Sequence, residues 1–263
     1  MAKKSGSTRS DVVGSDRQAK IDAAAKANAQ GPNKILIGTV VAIMAIIAVV
    51  AGVIIADRSS RDEVTAQAQV PTLAAGMGEA FAVNSDVTLE EGAPTLDIYE
   101  DFRCPACHQA YAVFHDTVSD LAEQGRIELN YHFKTVIDSR GGDGSLKAAS
   151  SAMCAADAGQ FQEYHESILD QIMVNGGQQP NWGPDYFTQA AQQSGITGEQ
   201  LTAFNECVAD GRYDDYITSV NQRSNREGID STPQYLLNGE RMDFGVINTP
   251  ELFVQAVDAA TGQ

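Results

Sequence analysis

Apolar and polar positions change period several times along this chain, and the changes mark its elements. Residues 35–56 are an uncharged, largely apolar run rich in Ile, Val and Ala. From residue 79 the pattern shortens. Residues 80–83 and 95–102 read as strands, the second following Gly92 and Pro94, and residues 127–136 alternate apolar and polar as a strand does. Between them, residues 104–123 carry helical spacing up to Gly125. After the Arg140-Gly141-Gly142-Asp143-Gly144 loop come five helical segments, 145–158, 161–174, 184–194, 198–210 and 212–227. Asn238-Gly239 between two apolar runs predicts a hairpin. Thr249 as N-cap and Pro250 at the first helical position open a last helix to about residue 260. Strands interleaved with helices predict an α/β fold carrying a helical block.

The long apolar run predicts a membrane span. Twenty-two helical residues cover about 33 Å, enough for a hydrocarbon core of about 30 Å. A signal peptide is the rival, but its apolar region is shorter, about 7–15 residues. Residues 1–34 hold seven Lys/Arg against three Asp, a net +4, so the remaining residues carry −21 of the overall −17. Basic residues before the span put that end in the cytoplasm and the rest outside. The expected organisation is a basic cytoplasmic tail at 1–34, an anchor at 35–56, a flexible tether at 57–78 and a folded domain at 79–263 with a helical insertion at about 145–227. The acidic balance excludes the usual basic nucleic-acid surface.

All four cysteines lie on the exported side, where disulfides persist. Cys104-Pro105-Ala106-Cys107 stands at the junction of a predicted strand and helix. There the orphan N–H groups and the positive end of the helix dipole stabilise a thiolate at the first cysteine. The thiolate is the nucleophile in disulfide exchange. CxxC also occurs in zinc sites and in simple structural disulfides, and Cys104 to His108 literally matches the haem attachment pattern CxxCH. A tetrahedral zinc site would draw on His108, His115, Cys154 or Cys207, but no second CxxC or HxxxH follows. The strand-to-helix context favours redox chemistry, with no metal and no cofactor. An even cysteine count with one CxxC suggests a redox pair, Cys104–Cys107, and a structural bridge, Cys154–Cys207. Buried free thiols at 154 and 207 are the alternative.

The segments Glu100-Asp101-Phe102-Arg103-Cys104-Pro105-Ala106-Cys107 and Thr232-Pro233, in this order with a helical block between them, resemble the membrane-anchored DsbA-like thiol–disulfide oxidoreductases of Gram-positive bacteria. The likeness spans residues 80–260. It implies a thioredoxin fold with an inserted helical domain, here preceded by one N-terminal transmembrane helix. It also implies roles: Cys104 as an exposed attacking sulfur, Cys107 as the more buried resolving one, and Thr232 before a cis proline lying against the pair, with Pro105, Ala106, His108 and Glu100 in support. An extra bridge like Cys154–Cys207 occurs in some tethered members.

Two positions depart from the family. Where its members often carry an acid six residues before the first cysteine, this chain has Ile98. Glu100, two residues on, is either a proton carrier or a solvated strand-end carboxylate. Ala106 cannot supply the imidazole that stabilises the thiolate in some members, and His108 is either a tuning group or a surface residue of the first turn. Trp182 is read as a cap on the insertion or a groove wall, and His115, His132 and His165 as packing or surface residues. The implied function is an extracytoplasmic, cell-membrane enzyme donating disulfides to exported cysteine-containing proteins. A quinone-linked membrane partner of the DsbB or vitamin-K-epoxide-reductase type would reoxidise it. The alternatives are a reductase or isomerase for specific clients, or a non-catalytic binding or metal-thiolate module. The short polar tether offers no dimerisation module, so a monomer is expected.

Overall fold

The computed structural model describes residues 42–46, 68–174 and 182–262. The chain divides into two units, Met1–Asp62 and Glu63–Gln263. In the first, residues 42–46 are helical. The basic tail, the rest of the expected anchor and residues 57–67 lie outside the described residues. Among the described residues no helix is long and apolar enough to cross a membrane.

The second unit is built on a five-stranded sheet: β1 (Phe81–Ala82), β2 (Thr95–Glu100), β3 (Glu128–Phe133), β4 (Gln234–Leu237) and β5 (Glu240–Arg241), in spatial order β1-β3-β2-β4-β5. β2 and β3 are parallel, joined by helix α1 (Pro105–Glu123), and the other pairs are antiparallel. Parallel neighbours need such a crossover, which is why the helix carrying the cysteines begins at the end of β2. Period-two burial is clearest in β3, where Leu129, Tyr131 and Phe133 face the core. β2 buries Leu96 and Ile98 and then Tyr99 and Glu100 together, so its last two residues are covered on both faces.

Among the described residues between β3 and β4 are a short 3-10 turn (Ile137–Arg140) and five helices: α2 (Gly144–Asp157), α3 (Phe161–Val174), α4 (Pro184–Gln193), α5 (Gly198–Ala209) and α6 (Asp214–Arg226). Ala148, Ala149, Ala152 and Ala155 let neighbouring helices approach α2 closely, and all four are buried. A disulfide joins Cys154 of α2 to Cys207 of α5. α7 (Pro250–Ala260) closes the fold; its N-cap Thr249 accepts a hydrogen bond from the Leu252 N–H, and Phe253 packs on Phe114 of α1 with ring centroids 5.2 Å apart. The hairpin turn has Asn238 and Gly239 at φ 50° and 80°, the left-handed region both residue types tolerate. Asn238 Oδ1 also accepts the Thr95 N–H at 3.0 Å, tying the turn to β2.

Two expected boundaries change. The polar tether does not run to residue 78. Val70, Leu73, Ala74 and Met77 pack against the core, Ala74 bridges to Phe81, and the Gly78 N–H donates to Ser219 Oγ at 2.7 Å. The two-residue strand β1 ends the sheet, and this segment covers its open edge. The strand at 95–102 stops at Glu100, because the Asp101 carbonyl accepts the Cys104 N–H at 2.8 Å and turns the chain into α1.

Candidate active site

Cys104 is the N-cap of α1, and Pro105 fills the first turn, where a missing N–H costs nothing. Two carboxylates, one buried and one partly exposed, frame the start of the helix. Asp101 is 1% exposed, and its two oxygens accept the Arg103 N–H at 2.8 Å and the Ile137 N–H at 2.9 Å. Burial nevertheless pushes its pKa up. Asp138 accepts the first N–H groups of α2, from Ser145 and Leu146, both at 3.0 Å, and pairs with Arg103 at 2.6 Å. Residue 103 is thereby fixed to the start of the insertion. At Gly144 a Cβ would come within 2.7 Å of Trp182 and 3.0 Å of Arg103 Cδ, so only glycine fits this close approach. Trp182 stands over Tyr186 and Phe187 of α4, which makes it a cap on the insertion.

The other wall comes from the loop before β4. The Thr232-Pro233 peptide is cis, and the Cys104 Sγ lies 3.5 Å from the Thr232 carbonyl oxygen. Lys134, at the end of β3, is fully buried and donates from Nζ to the Asn221 carbonyl, Asn225 Oδ1 and the Ile229 carbonyl. It thus ties the C-terminal turn of α6 to the segment leading into Thr232. Burial lowers its pKa to about 8.

The two thiols are unbridged and almost equally covered, Cys104 at 6% and Cys107 at 4% exposure. The expectation of an exposed Cys104 is therefore corrected. The Thr232 carbonyl lies against its sulfur and the Asp101 turn holds its N–H, and together they cover the residue. What separates the two sulfurs is electrostatics. Cys104 is lowered to about 5, first by the Cys107 thiol, then by the Thr232 side chain and by the N–H groups of Cys107 and Ala106, all acting against burial. The Thr232 hydroxyl is buried and meets no partner at hydrogen-bonding distance, so it supports the sulfur as a nearby dipole that can turn toward it. Cys107 is pushed well above its ordinary value by burial, by its bond to Cys104, and by the charges of Cys104 and Glu100. The outer sulfur is a thiolate at neutral pH and the inner one a thiol.

Thr232→Val removes one donor to that thiolate. A hydrogen bond to a charged group contributes about 1.5–3 kcal/mol, so the Cys104 midpoint is expected to rise by about one pH unit or more. The pH dependence of iodoacetamide alkylation of Cys104 reads this directly. An unchanged midpoint would remove Thr232 from the thiolate's support.

Several sequence assignments shift. Glu100 is not a solvated strand-end carboxylate: it is 5% exposed, and its Oε1 lies 2.5 Å from His165 Nε2. His108, open in the sequence between tuning the pair and lying on the surface, is 3% exposed, and its Nε2 lies 2.6 Å from the Phe102 carbonyl. The carbonyl only accepts, so that nitrogen carries the proton and the ring braces the turn before Cys104. His165 is no bystander, since it supplies the partner of Glu100. Lys134 and Asp138 carry no motif, and Asp101 enters the sequence reading only as a member of the segment before Cys104. Their one sequence signal is a charge placed within or beside an apolar strand run.

The thioredoxin family model matches residues 90–259, about two thirds of the chain. The chain belongs to the thioredoxin family. Among solved structures, this thioredoxin-family chain is similar to the reduced disulfide bond oxidoreductase DsbG of Mycobacterium tuberculosis. The TM-score is 0.58 at 25% identity, covering 72% of this chain and 90% of that one. It shares its fold with the thiol–disulfide oxidoreductase MdbA of Actinomyces oris (TM-score 0.56, 19% identity, 65% and 83% covered). It also shares it with oxidised DsbA of M. tuberculosis (0.54, 24%, 68% and 90%). A sequence comparison with curated proteins finds no match.

Proposed function

We propose that this protein is a membrane-tethered thiol–disulfide oxidoreductase that donates disulfides to cysteine-containing proteins outside the cytoplasm. The observation that carries the redox part is Cys104 at the N-cap of α1, its sulfur 3.5 Å from the Thr232 carbonyl before the cis proline and one helical turn from a buried Cys107, a setting that lowers Cys104 to about 5 and pushes Cys107 well above its ordinary value. In the oxidised enzyme a substrate thiolate attacks Cys104 Sγ. The Cys104–Cys107 bond breaks, a mixed disulfide forms, and the electron pair leaves on Cys107, which takes a proton. A second substrate thiolate attacks the substrate sulfur and expels Cys104. A low-pKa thiolate is the better leaving group, which favours donation over reduction. The Thr232 carbonyl beside Cys104 suits pairing with an extended substrate chain.

The exported location rests on the 22-residue apolar run and the basic residues before it. An electron acceptor must reoxidise the pair, and a quinone-linked membrane partner meets that need next to the anchor. Oxidative refolding of a reduced model protein by the full chain tests the activity: a rate enhancement that depends on Cys104 is expected. A rate equal to that of buffer oxidant alone would leave a binding module. Protease access to the C-terminal unit on intact cells tests the topology, with digestion expected and protection contradicting it.

A further inference from the structure

A chain of titratable groups leads from the inner sulfur through the helical insertion to the surface. It starts at Cys107, whose elevated pKa obliges it to take up a proton whenever its sulfur is released and to lose that proton on reoxidation. The Glu100 carboxylate is near enough for its charge to act on Cys107, and it bonds His165. His165 lies on the apolar face of α3 with Phe161, Tyr164 and Ile168, and it is 1% exposed. Aromatic rings wall it: Phe102, Tyr111, Tyr131, Phe133 and Phe161, with centroids 4.9–6.4 Å away. Its second nitrogen, Nδ1, is buried without a hydrogen-bond partner. A purely structural histidine in such a setting satisfies both nitrogens.

His115 of α1 is the next group outward. It stacks on Tyr111 at 4.4 Å between ring centroids, and its Nε2 meets Glu166 Oε1 at 3.2 Å. The His115 side chain is 15% exposed and that of Glu166 36%, so the series reaches solvent there. His115 senses its neighbours: it is lowered first by burial and then by His165, while Glu166, Asp116 and Asp170 act to raise it. The other titratable groups facing this path are Tyr111 from α1, Tyr131 from β3 and Tyr235 from β4. Burial pushes all three up, so they stay neutral and contribute no competing charge near pH 7.

We propose that His165 and His115 carry the Cys107 proton between the buried Glu100 and the solvent-facing Glu166, which makes His165 a positioning residue for the Cys107 step. The inference rests on the oxidoreductase reading and adds the route of the proton. When the Cys104–Cys107 bond is broken by a substrate thiolate, two electrons move from substrate to the pair over the full cycle. One proton reaches Cys107 through this series and is replaced from solvent at Glu166. Cys104 leaves as a thiolate and needs none.

The test compares the oxidised full chain with His165→Gln and His115→Gln in single turnovers against excess reduced cysteine peptide, from pH 5 to 9, in light and heavy water. Glutamine at 165 keeps a donor for Glu100 but cannot titrate. Positioned acid–base groups contribute about 10²–10⁴-fold, and water replaces part of that, so Cys107 reduction in His165→Gln is expected to slow about tenfold at pH 7. Its pH profile should flatten and its solvent isotope effect change, while the Cys104 alkylation midpoint stays at the parent value. A parent-like rate and profile in His165→Gln overturns the proposal. Should that variant fail to fold, His115→Gln decides: a parent-like profile overturns the relay and a flattened one supports it. A parent chain unable to oxidise the peptide overturns the oxidoreductase reading and the relay with it.

Discussion

Replacing Cys104 by serine is expected to reduce disulfide exchange to the uncatalysed background, whereas replacing Cys107 by serine is expected to accumulate a mixed disulfide. The two sulfurs are similarly covered, so exposure does not distinguish them; charge does. Cys104 holds its negative charge at the start of α1, supported by the Cys107 thiol, the Thr232 hydroxyl and two helix N–H groups. A serine hydroxyl there is not ionised near neutral pH and cannot form a disulfide. In Cys107→Ser the helix N–H groups and Thr232 remain, so Cys104 stays reactive but has no neighbouring sulfur to release it. Oxidised glutathione is a sufficient probe: intact-mass measurement should show one glutathione on Cys107→Ser and none on Cys104→Ser. Adduct formation on Cys104→Ser, or faster release from Cys107→Ser than from the parent, would reverse the assignment.

The second large effect is on stability. The Cys154–Cys207 bridge links α2 to α5 across 53 residues, and both cysteines are 1% exposed. Closing a loop of that length in the unfolded chain corresponds to about 4 kcal/mol in the chain-entropy treatment. For a unit of this size that amounts to a fall in melting temperature of about 10 °C in Cys154→Ala/Cys207→Ala. Thermal melts with Cys104 and Cys107 alkylated in both proteins isolate the effect. Because the bridge lies wholly within the insertion, exchange activity per folded molecule should persist. A melting temperature equal to the parent's would mean that packing of the alanine-rich α2 already fixes the insertion without the bond.

Much of the fold was legible because its signals are local. The period-two pattern of β3, the Asn238-Gly239 turn and the Thr249-Pro250 helix start each depend on residues within a few positions of one another. The helix carrying CxxC was readable for the same reason. Residues 70–78 were not: Pro71, Gly76 and Gly78 break any helix or strand period, and Val70, Leu73, Ala74 and Met77 gain meaning only when Phe81 needs an edge partner. Glu100 and His165 are 65 positions apart, so no spacing rule joins them; their pairing arises from folding α3 over the end of β2. Lys134 likewise reads as an ordinary strand-end cation until the turn after α6 folds over it. His108 was ambiguous because its bond runs backwards to Phe102, a direction set by the turn at Asp101.

A stabilised Cys104 thiolate is expected to make this pair oxidising. In the reduced fold the Cys104 pKa lies below its ordinary value, so the thiolate's contribution is fully present above about pH 9 and is lost as pH falls through about 5. At pH 7 a group with a pKa of about 5 rather than 9 favours the reduced form by about 3 kcal/mol, or about 60 mV for two electrons. The pH dependence of the reduction potential reads this most directly, measured for the Cys104–Cys107 pair between pH 4 and 9 with Cys154–Cys207 intact. Below about pH 5 reduction takes up two protons and the potential should fall by about 59 mV per pH unit; above it Cys104 stays ionised, one proton is taken up, and the slope should halve to about 30 mV. A slope that stays near 59 mV per unit up to pH 8 would show Cys104 to be an ordinary thiol and contradict the account.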